Sequence, residues 1–79
     1  MKNKRLTKIG PALRKLRKDK KMTQKELASR CSIPRSYISS LENDMKLPKL
    51  RTIFVLASGL GMKASELMKE IESFYLDQA

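Results

Sequence analysis

The chain of 79 residues is long enough for one small domain and too short for a second core. It carries 18 lysine and arginine residues against eight aspartate and glutamate residues, for a net charge of +10, and it contains no histidine and one cysteine. This composition excludes a His/Cys zinc site, an internal disulfide and a nucleophile activated by histidine, so we expect no enzyme and no metal or cofactor.

The positive charge is concentrated near the N-terminus. Residues 1 to 25 carry a net charge of +10, whereas residues 63 to 79 carry −2. A basic surface of this density attracts a polyanion, and the acidic end is free for another contact. The longest apolar run, residues 53 to 57, is far too short to span a bilayer, and no secretory signal follows the basic N-terminus. We therefore expect a cytoplasmic protein with no membrane contact.

Hydrophobic spacing predicts helices along almost the whole chain and no strands. In the first helix, Ile9, Leu13 and Leu16 recur at helical spacing on a surface otherwise rich in lysine and arginine. Thr7 is a candidate N-cap for this helix, and Pro11 fits only within its first turn.

A capping box predicts the start of a second, short helix. The Thr23 hydroxyl can accept from the Glu26 amide while the Glu26 carboxylate accepts from the Thr23 amide. Proline suits the first position of a helix and excludes the residue before it from helical geometry, so the chain turns at Ile33 and a third helix runs from Pro34 to about Asn43. The inward residues of the second helix are Leu27, Ala28 and Cys31.

Two further helices complete the predicted architecture. Pro48 is placed to open the fourth helix, and Gly59 or Gly61 can end it in a left-handed cap. Its wide apolar face comprises Leu50, Ile53, Phe54, Leu56, Ala57 and Leu60. A terminal helix covers about residues 65 to 76. The expected fold is therefore an all-α, compact five-helix bundle, with a flexible basic arm at residues 1 to 6 and a single domain at residues 7 to 79.

The second and third helices form a helix-turn-helix candidate over about residues 23 to 43. Such a pair needs an apolar inner edge on its second helix, which Ile38 and Leu41 provide, and an outer edge of short polar or basic side chains. Arginine pairs with the O6 and N7 atoms of guanine, and serine can donate or accept a hydrogen bond in the major groove. The outer edge carries Arg35, Ser36, Ser39 and Ser40.

Three segments carry a resemblance to a known family: Thr23-Gln24-Lys25-Glu26-Leu27-Ala28, Ile33-Pro34-Arg35-Ser36-Tyr37-Ile38-Ser39 and Leu41-Glu42-Asn43. The sequence resembles the lambda-repressor-like, XRE-type helix-turn-helix family over roughly residues 8 to 72. It departs from the family at Ser32, where glycine is usual. Since serine tolerates the left-handed region poorly, we expect the turn to be rearranged. Lys49 and Lys63 replace the small capping residues that often precede the last two helices.

The resemblance implies a role for each matching residue. Base contacts are expected from Arg35, Ser36, Ser39 and Ser40. Contacts to the DNA backbone are expected from Gln24, Lys25, Tyr37, Asn43, Lys46 and Lys49. Arg17 and Glu42 match a pair that often forms a partly buried ion bridge in relatives, and the same bridge follows from the cost of burying either charge alone.

The expected function is that of a sequence-specific transcriptional regulator of double-stranded DNA, associated with the nucleoid and free of any small-molecule ligand. We expect a homodimer on a pseudo-palindromic operator, with Phe74, Tyr75 and Leu76 at the interface. The resemblance allows a restriction–modification controller protein or a small phage or chromosomal regulator. An antitoxin or co-regulator that acts as a protein-interaction module stays open, as does a sequence-neutral nucleic-acid binder.

Overall fold

The computed structural model describes residues 8 to 77, with side chains up to residue 75. The five helices are α1 (Gly10–Asp19), α2 (Gln24–Cys31), α3 (Arg35–Glu42), α4 (Leu50–Gly59) and α5 (Ala64–Asp77). These described residues contain no strand, so the expected all-α, five-helix class is confirmed. The basic arm expected at residues 1 to 6 and the N-cap expected at Thr7 lie outside the described residues.

The predicted cap of α2 is present, whereas the prolines predicted to start α3 and α4 lie before those helices. The capping box of α2 is complete, because the Thr23 hydroxyl accepts from the Glu26 amide at 3.0 Å and the Thr23 amide donates to the Glu26 carboxylate at 2.9 Å. Pro34 is extended and immediately precedes α3, so the prediction that this helix starts at Pro34 is one residue early. The prediction that Pro48 opens α4 is wrong, since Lys49 is also extended (φ −73°, ψ 162°) and the helix begins one residue later.

The turn between α2 and α3 keeps a left-handed residue although glycine is absent. Ser32 adopts φ 56° and ψ 41°. Its amide donates to the Ser29 carbonyl at 3.2 Å, and the Ile33 amide donates to the Ala28 carbonyl at 3.1 Å. These hydrogen bonds offset a left-handed strain of about 1–2 kcal/mol for a residue with a Cβ. The expectation of a rearranged turn is therefore wrong, because these local backbone hydrogen bonds outweigh the conformational preference of serine.

The core holds α3 by its inner edge. The largest fully buried apolar side chains are Leu13, Leu27, Ile38, Leu41, Leu56, Leu60 and Leu67. α3 packs against α1 and α2, α4 packs against α2 and α5, and α5 closes the bundle against α1. The outward side of α3 is thus left uncovered by the other described helices.

The side of α4 that is buried in the core is narrower than the sequence predicts. Leu50 is 74% exposed and Phe54 is 59% exposed, whereas Ile53 and Leu56 are buried. Leu50 and Phe54 lie one turn apart, beside the buried stripe, because a bundle this small covers only part of the helix circumference. Only part of the predicted wide apolar side of this helix therefore packs in the core.

The N-terminus of α1 rests directly on the C-terminal end of α3. A Cβ atom on Gly10 would overlap the carbonyl oxygen of Glu42 and lie 2.8 Å from that of Leu41. The Gly10 amide donates to the Asp44 carboxylate at 2.8 Å, while Ile9 at the N-cap makes no side-chain cap. Asp44 thus caps α1 from a distance of 34 residues in sequence.

Substituting Gly10 tests this close approach. Gly10→Ala should lower the free energy of unfolding by on the order of 2 kcal/mol. The added methyl group would clash with the backbone carbonyl groups of Glu42 and Leu41, and backbone atoms cannot relax as a flexible side chain can. Gly61→Ala is the matched control: Gly61 has φ 71° with open space around its Cβ position, so only a backbone strain of about 1 kcal/mol is expected. Urea denaturation measures both variants, and a Gly10→Ala variant as stable as the parent would contradict the contact.

Candidate nucleic-acid interface

The outer face of α3 presents the four predicted base-contacting residues. Arg35 and Ser36 are exposed, and Ser39 and Ser40 are partly exposed. On the opposite side, Ile38 and Leu41 are fully buried, so the helix is held in place by its apolar edge. A guanidinium and hydroxyl groups therefore face solvent from a short helix whose opposite side is packed in the core.

The predicted backbone-contacting residues lie around this helix. Lys25, Asn43, Lys46 and Lys49 are exposed, whereas Gln24 and Tyr37 are partly buried. The ammonium nitrogen of Lys46 lies 5.5 Å from the centroid of the Tyr37 ring, within the range of a cation–π contact. The structure therefore brings Lys46, which lies in the loop after α3, against a residue of α3 itself.

A buried ion pair fixes α3 to α1. Arg17 Nε donates to Glu42 Oε2 at 2.6 Å, Arg17 Nη2 donates to Glu42 Oε1 at 3.0 Å, and Arg17 Nη1 donates to the Met22 carbonyl at 2.7 Å. The residues are only 7% and 2% exposed. Burial by itself would raise the pKa of the Glu42 carboxyl, but hydrogen bonds from Arg17 and Gln24 outweigh it and hold that pKa below its ordinary value. The expected pair of Arg17 and Glu42 is thus present and charged.

One branch of hydrogen bonds runs from this pair to Arg35. Gln24 Nε2 donates to Glu42 Oε1 at 3.0 Å, and Arg35 Nη1 donates to Gln24 Oε1 at 3.0 Å. The amide of Gln24 therefore has its nitrogen toward the carboxylate and its oxygen toward the guanidinium. Arg35, although exposed, is restrained by a chain of contacts that begins in the core.

A second branch runs to Ser39 through a residue that the sequence did not single out. Arg14 Nη2 donates to Asn43 Oδ1 at 2.9 Å, and Asn43 Nδ2 donates to Ser39 Oγ at 3.3 Å. Arg14 Nε also lies 3.5 Å from Glu42 Oε1. Arg14 was one of many charges in the basic N-terminal stretch. Its spacing of three residues from Arg17, which places both on one side of α1, was the signal that could have found it.

Other chemistries find no support in the described part of the chain. Residues 8 to 77 contain no cluster of three or more potential ligands that could hold a metal ion. Over the same residues, no helix combines the length and apolar character needed to cross a membrane. Burial raises the pKa of the Cys31 thiol, whose sulfur lies 3.5 Å from the Val55 carbonyl oxygen, so this cysteine serves as a packing residue.

Comparisons with known proteins agree with this geometry. The chain matches the helix-turn-helix family over residues 13–67. It is 37% identical over 65 residues to control protein C.MunI from Mycoplasma sp., an alignment that covers 81% of this chain and 88% of that protein. It is 34% identical over 62 residues to the immunity repressor protein of Bacillus phage phi105, covering 78% of this chain and 43% of the repressor.

A solved structure of a similar protein has the same fold. The restriction–modification controller protein C.AhdI from Aeromonas hydrophila superposes with a TM-score of 0.73 at 34% identity, covering 82% of this chain and 98% of that one. Fold and site together define a DNA-binding protein of the helix-turn-helix class. The chain belongs to the XRE-type helix-turn-helix family of DNA-binding transcriptional regulators.

The ion pair predicts a characteristic acid sensitivity. Because the folded-state pKa of Glu42 lies below an unfolded value of about 4.3, the carboxylate contributes stability above that pH and loses it as the pH falls through the folded-state pKa. Glu42→Gln leaves Arg17 buried without its charge partner and should cost about 3 kcal/mol at pH 7. Its deficit relative to the parent should shrink toward pH 3, as measured by urea denaturation at each pH.

The control is an exposed pair of the same type. Lys15 Nζ lies 2.8 Å from Asp19 Oδ2, with both side chains more than half exposed. Asp19→Asn should change the free energy of unfolding by less than about 1 kcal/mol. Equal effects from Glu42→Gln and Asp19→Asn would contradict the expectation that removing the partner of the buried Arg17 costs more than breaking an exposed pair.

Proposed function

We propose that this protein is a sequence-specific transcriptional regulator that reads the major groove of double-stranded DNA with α3. The observation that supports the proposal is the position of Arg35, exposed at the start of a helix whose inner edge is fully buried and restrained by Gln24. A restrained guanidinium can meet the O6 and N7 atoms of guanine with less loss of side-chain entropy than a free one. The proposed base-contacting residues are Arg35, Ser36, Ser39 and Ser40.

Contacts to the phosphates orient this helix on the duplex. Each lysine that neutralises a phosphate releases condensed counterions, which supplies affinity without sequence information. Asn43 and Tyr37 can hydrogen-bond phosphate oxygens from the two ends of α3. The proposed backbone-contacting residues are Gln24, Lys25, Tyr37, Asn43, Lys46 and Lys49.

We also propose that the protein acts as a homodimer, through a surface other than the one expected from the sequence. Tyr75 is only 8% exposed, and Phe74 packs against it edge to face with ring centroids 5.3 Å apart, so Tyr75 is part of the monomer core. It offers almost no surface to a second copy, which corrects the expectation for this residue. The side chain of Leu76 lies outside the described residues.

Four of the five exposed large apolar side chains in the described residues lie instead just before α4, on α4 and on α5. We name them the apolar face: Leu47, Leu50, Phe54 and Met68, which are 61%, 74%, 59% and 46% exposed. Three of these side chains, those of Leu47, Leu50 and Met68, line one groove. Exposed apolar surface on a small protein favours burial against a partner, and a two-fold dimer would present two copies of α3 to half-sites about one helical turn apart.

The relatives suggest the biological setting. C.MunI is named a control protein and C.AhdI a restriction–modification controller protein, and this chain covers 88% and 98% of their respective lengths. We propose the same role here: a small regulator of the transcription of a restriction–modification system. The phage phi105 repressor, of which the chain covers only 43%, makes a phage-type repressor the second candidate.

Selection of bound fragments from random DNA tests the base-reading assignment. Arg35→Ala should weaken binding to the selected operator by about 1–3 kcal/mol and relax the preference at one base pair. Lys46→Ala should weaken all sequences alike and lower the slope of log K against log salt by about 1. Binding at two salt concentrations separates the two effects, and equal losses on all sequences from both variants would overturn the assignment.

Sedimentation equilibrium tests the apolar face. Leu50 is exposed in the monomer, so Leu50→Asp should leave folding intact while placing two charges in a two-fold interface. The loss of two buried leucines, at about 1.5 kcal/mol or more each, predicts a dimer Kd raised about 100-fold or more. Met45→Asp is the matched control, since Met45 is 77% exposed and lies outside the groove. Unchanged dimerisation of Leu50→Asp would exclude this surface.

A further inference from the structure

The amide of Asn43 bridges α1 and the outer face of α3. Its oxygen accepts from Arg14 Nη2 at 2.9 Å, and its nitrogen donates to Ser39 Oγ at 3.3 Å. Asn43 immediately follows the last residue of α3, and Ser39 lies one turn earlier on the same helix. A residue of the proposed base-reading set is thus connected to α1 through a single amide group.

The chemistry of the three groups permits only one orientation of this amide. A guanidinium is a donor with no acceptor, so it must face the amide oxygen, and the amide nitrogen must then face the serine. A flipped amide would place donors against donors at the Arg14 contact. Ser39 Oγ therefore accepts from Asn43. Because a hydroxyl has one proton and two lone pairs, this bond uses one lone pair and leaves the proton, with one lone pair, available for another partner.

Arg14 is itself held in position. Its Nε atom lies 3.5 Å from Glu42 Oε1, and that carboxylate is fully buried and kept ionised by Arg17. The side chain of Arg14 is 44% exposed, so it lies at the margin of the buried pair and faces the end of α3. The orientation of the Asn43 amide is thereby tied to the ion pair in the core.

We propose that Arg14, acting through Asn43, is a positioning residue that sets specificity by presenting the hydroxyl of Ser39 to DNA as a hydrogen-bond donor. The inference rests on the proposed function, in which α3 reads the major groove. Ser39 can then donate to a base edge that offers an acceptor, such as guanine O6 or thymine O4, a contact that it would lose if residue 43 took up its proton. Neither Arg14 nor this polarity belongs to the contacts expected from the sequence.

Reversing the polarity of residue 43 gives the sharpest test. Asn43→Asp keeps the shape and the contact with Arg14, but a carboxylate can only accept, so Ser39 must turn its proton toward it and offer lone pairs to the DNA. Selection from random DNA should then shift the preference at the base pair that Ser39 contacts away from acceptors and toward an amino group, by roughly fivefold for one neutral hydrogen bond. That base pair is identified as the one where Ser39→Ala loses its preference.

Two further variants separate positioning from charge and from folding. Lys46→Gln removes the same unit of positive charge near α3 without touching Asn43, and it should weaken binding while leaving every base preference unchanged. Arg14→Met removes the donor and keeps the aliphatic stem, so the preference at the Ser39 base pair should fall roughly fivefold toward none, with the other positions retained. Circular dichroism and thermal denaturation verify that each variant is folded.

The outcomes distinguish this inference from the proposed function. If the parent protein selects no preferred sequence, the proposed function fails and the inference fails with it. If the parent selects an operator, but Asn43→Asp and Arg14→Met retain its base preference at the Ser39 position, the inference alone is overturned. An operator whose preferences are all insensitive to Ser39→Ala overturns it as well, since Ser39 then reads no base.

Discussion

The Arg17–Glu42 ion pair is the contact on which the placement of α3 depends. An isolated helix of eight residues is not stable in water, so α3 takes its conformation and position from its neighbours. Glu42 is its last residue, and the carboxylate receives hydrogen bonds from Arg17 in α1 and Gln24 in α2. Since a buried pair adds little net stability, its value here is geometric: a shifted helix would leave a charge buried without a partner.

Two backbone-level contacts reinforce the same junction. The absence of a side chain at Gly10 lets α1 touch the carbonyl groups at the end of α3, and Asp44 caps α1 from just beyond that end. The junction between α1 and α3 is therefore fixed by an ion pair, a steric fit and a helix cap. Side chains that project from such a rigid junction are held closer to one geometry than side chains on a loop.

The surface divides into areas with different chemistry. The outer face of α3 carries a guanidinium and hydroxyl groups whose positions are set by amide groups that lead back to the core. The apolar face around α4 and α5 carries exposed leucine, phenylalanine and methionine side chains. In the proposed assembly these areas serve different partners, DNA and a second copy of the chain. Substitutions on the outer face of α3 can then change the affinity for DNA without altering the packing between two copies of the chain.

The sequence by itself determined the presence of the five helices, the capping box at Thr23 and the outward row of polar residues on α3. These depend on spacing and cap chemistry within a few residues. Only the tertiary structure decided that Phe54 is exposed and Tyr75 buried, and that Arg14 contacts Asn43. Each of these features depends on which residues pack together after folding. Arg14 and Asn43, for example, are 29 residues apart in sequence. Spacing and cap chemistry within a few residues cannot predict such a contact.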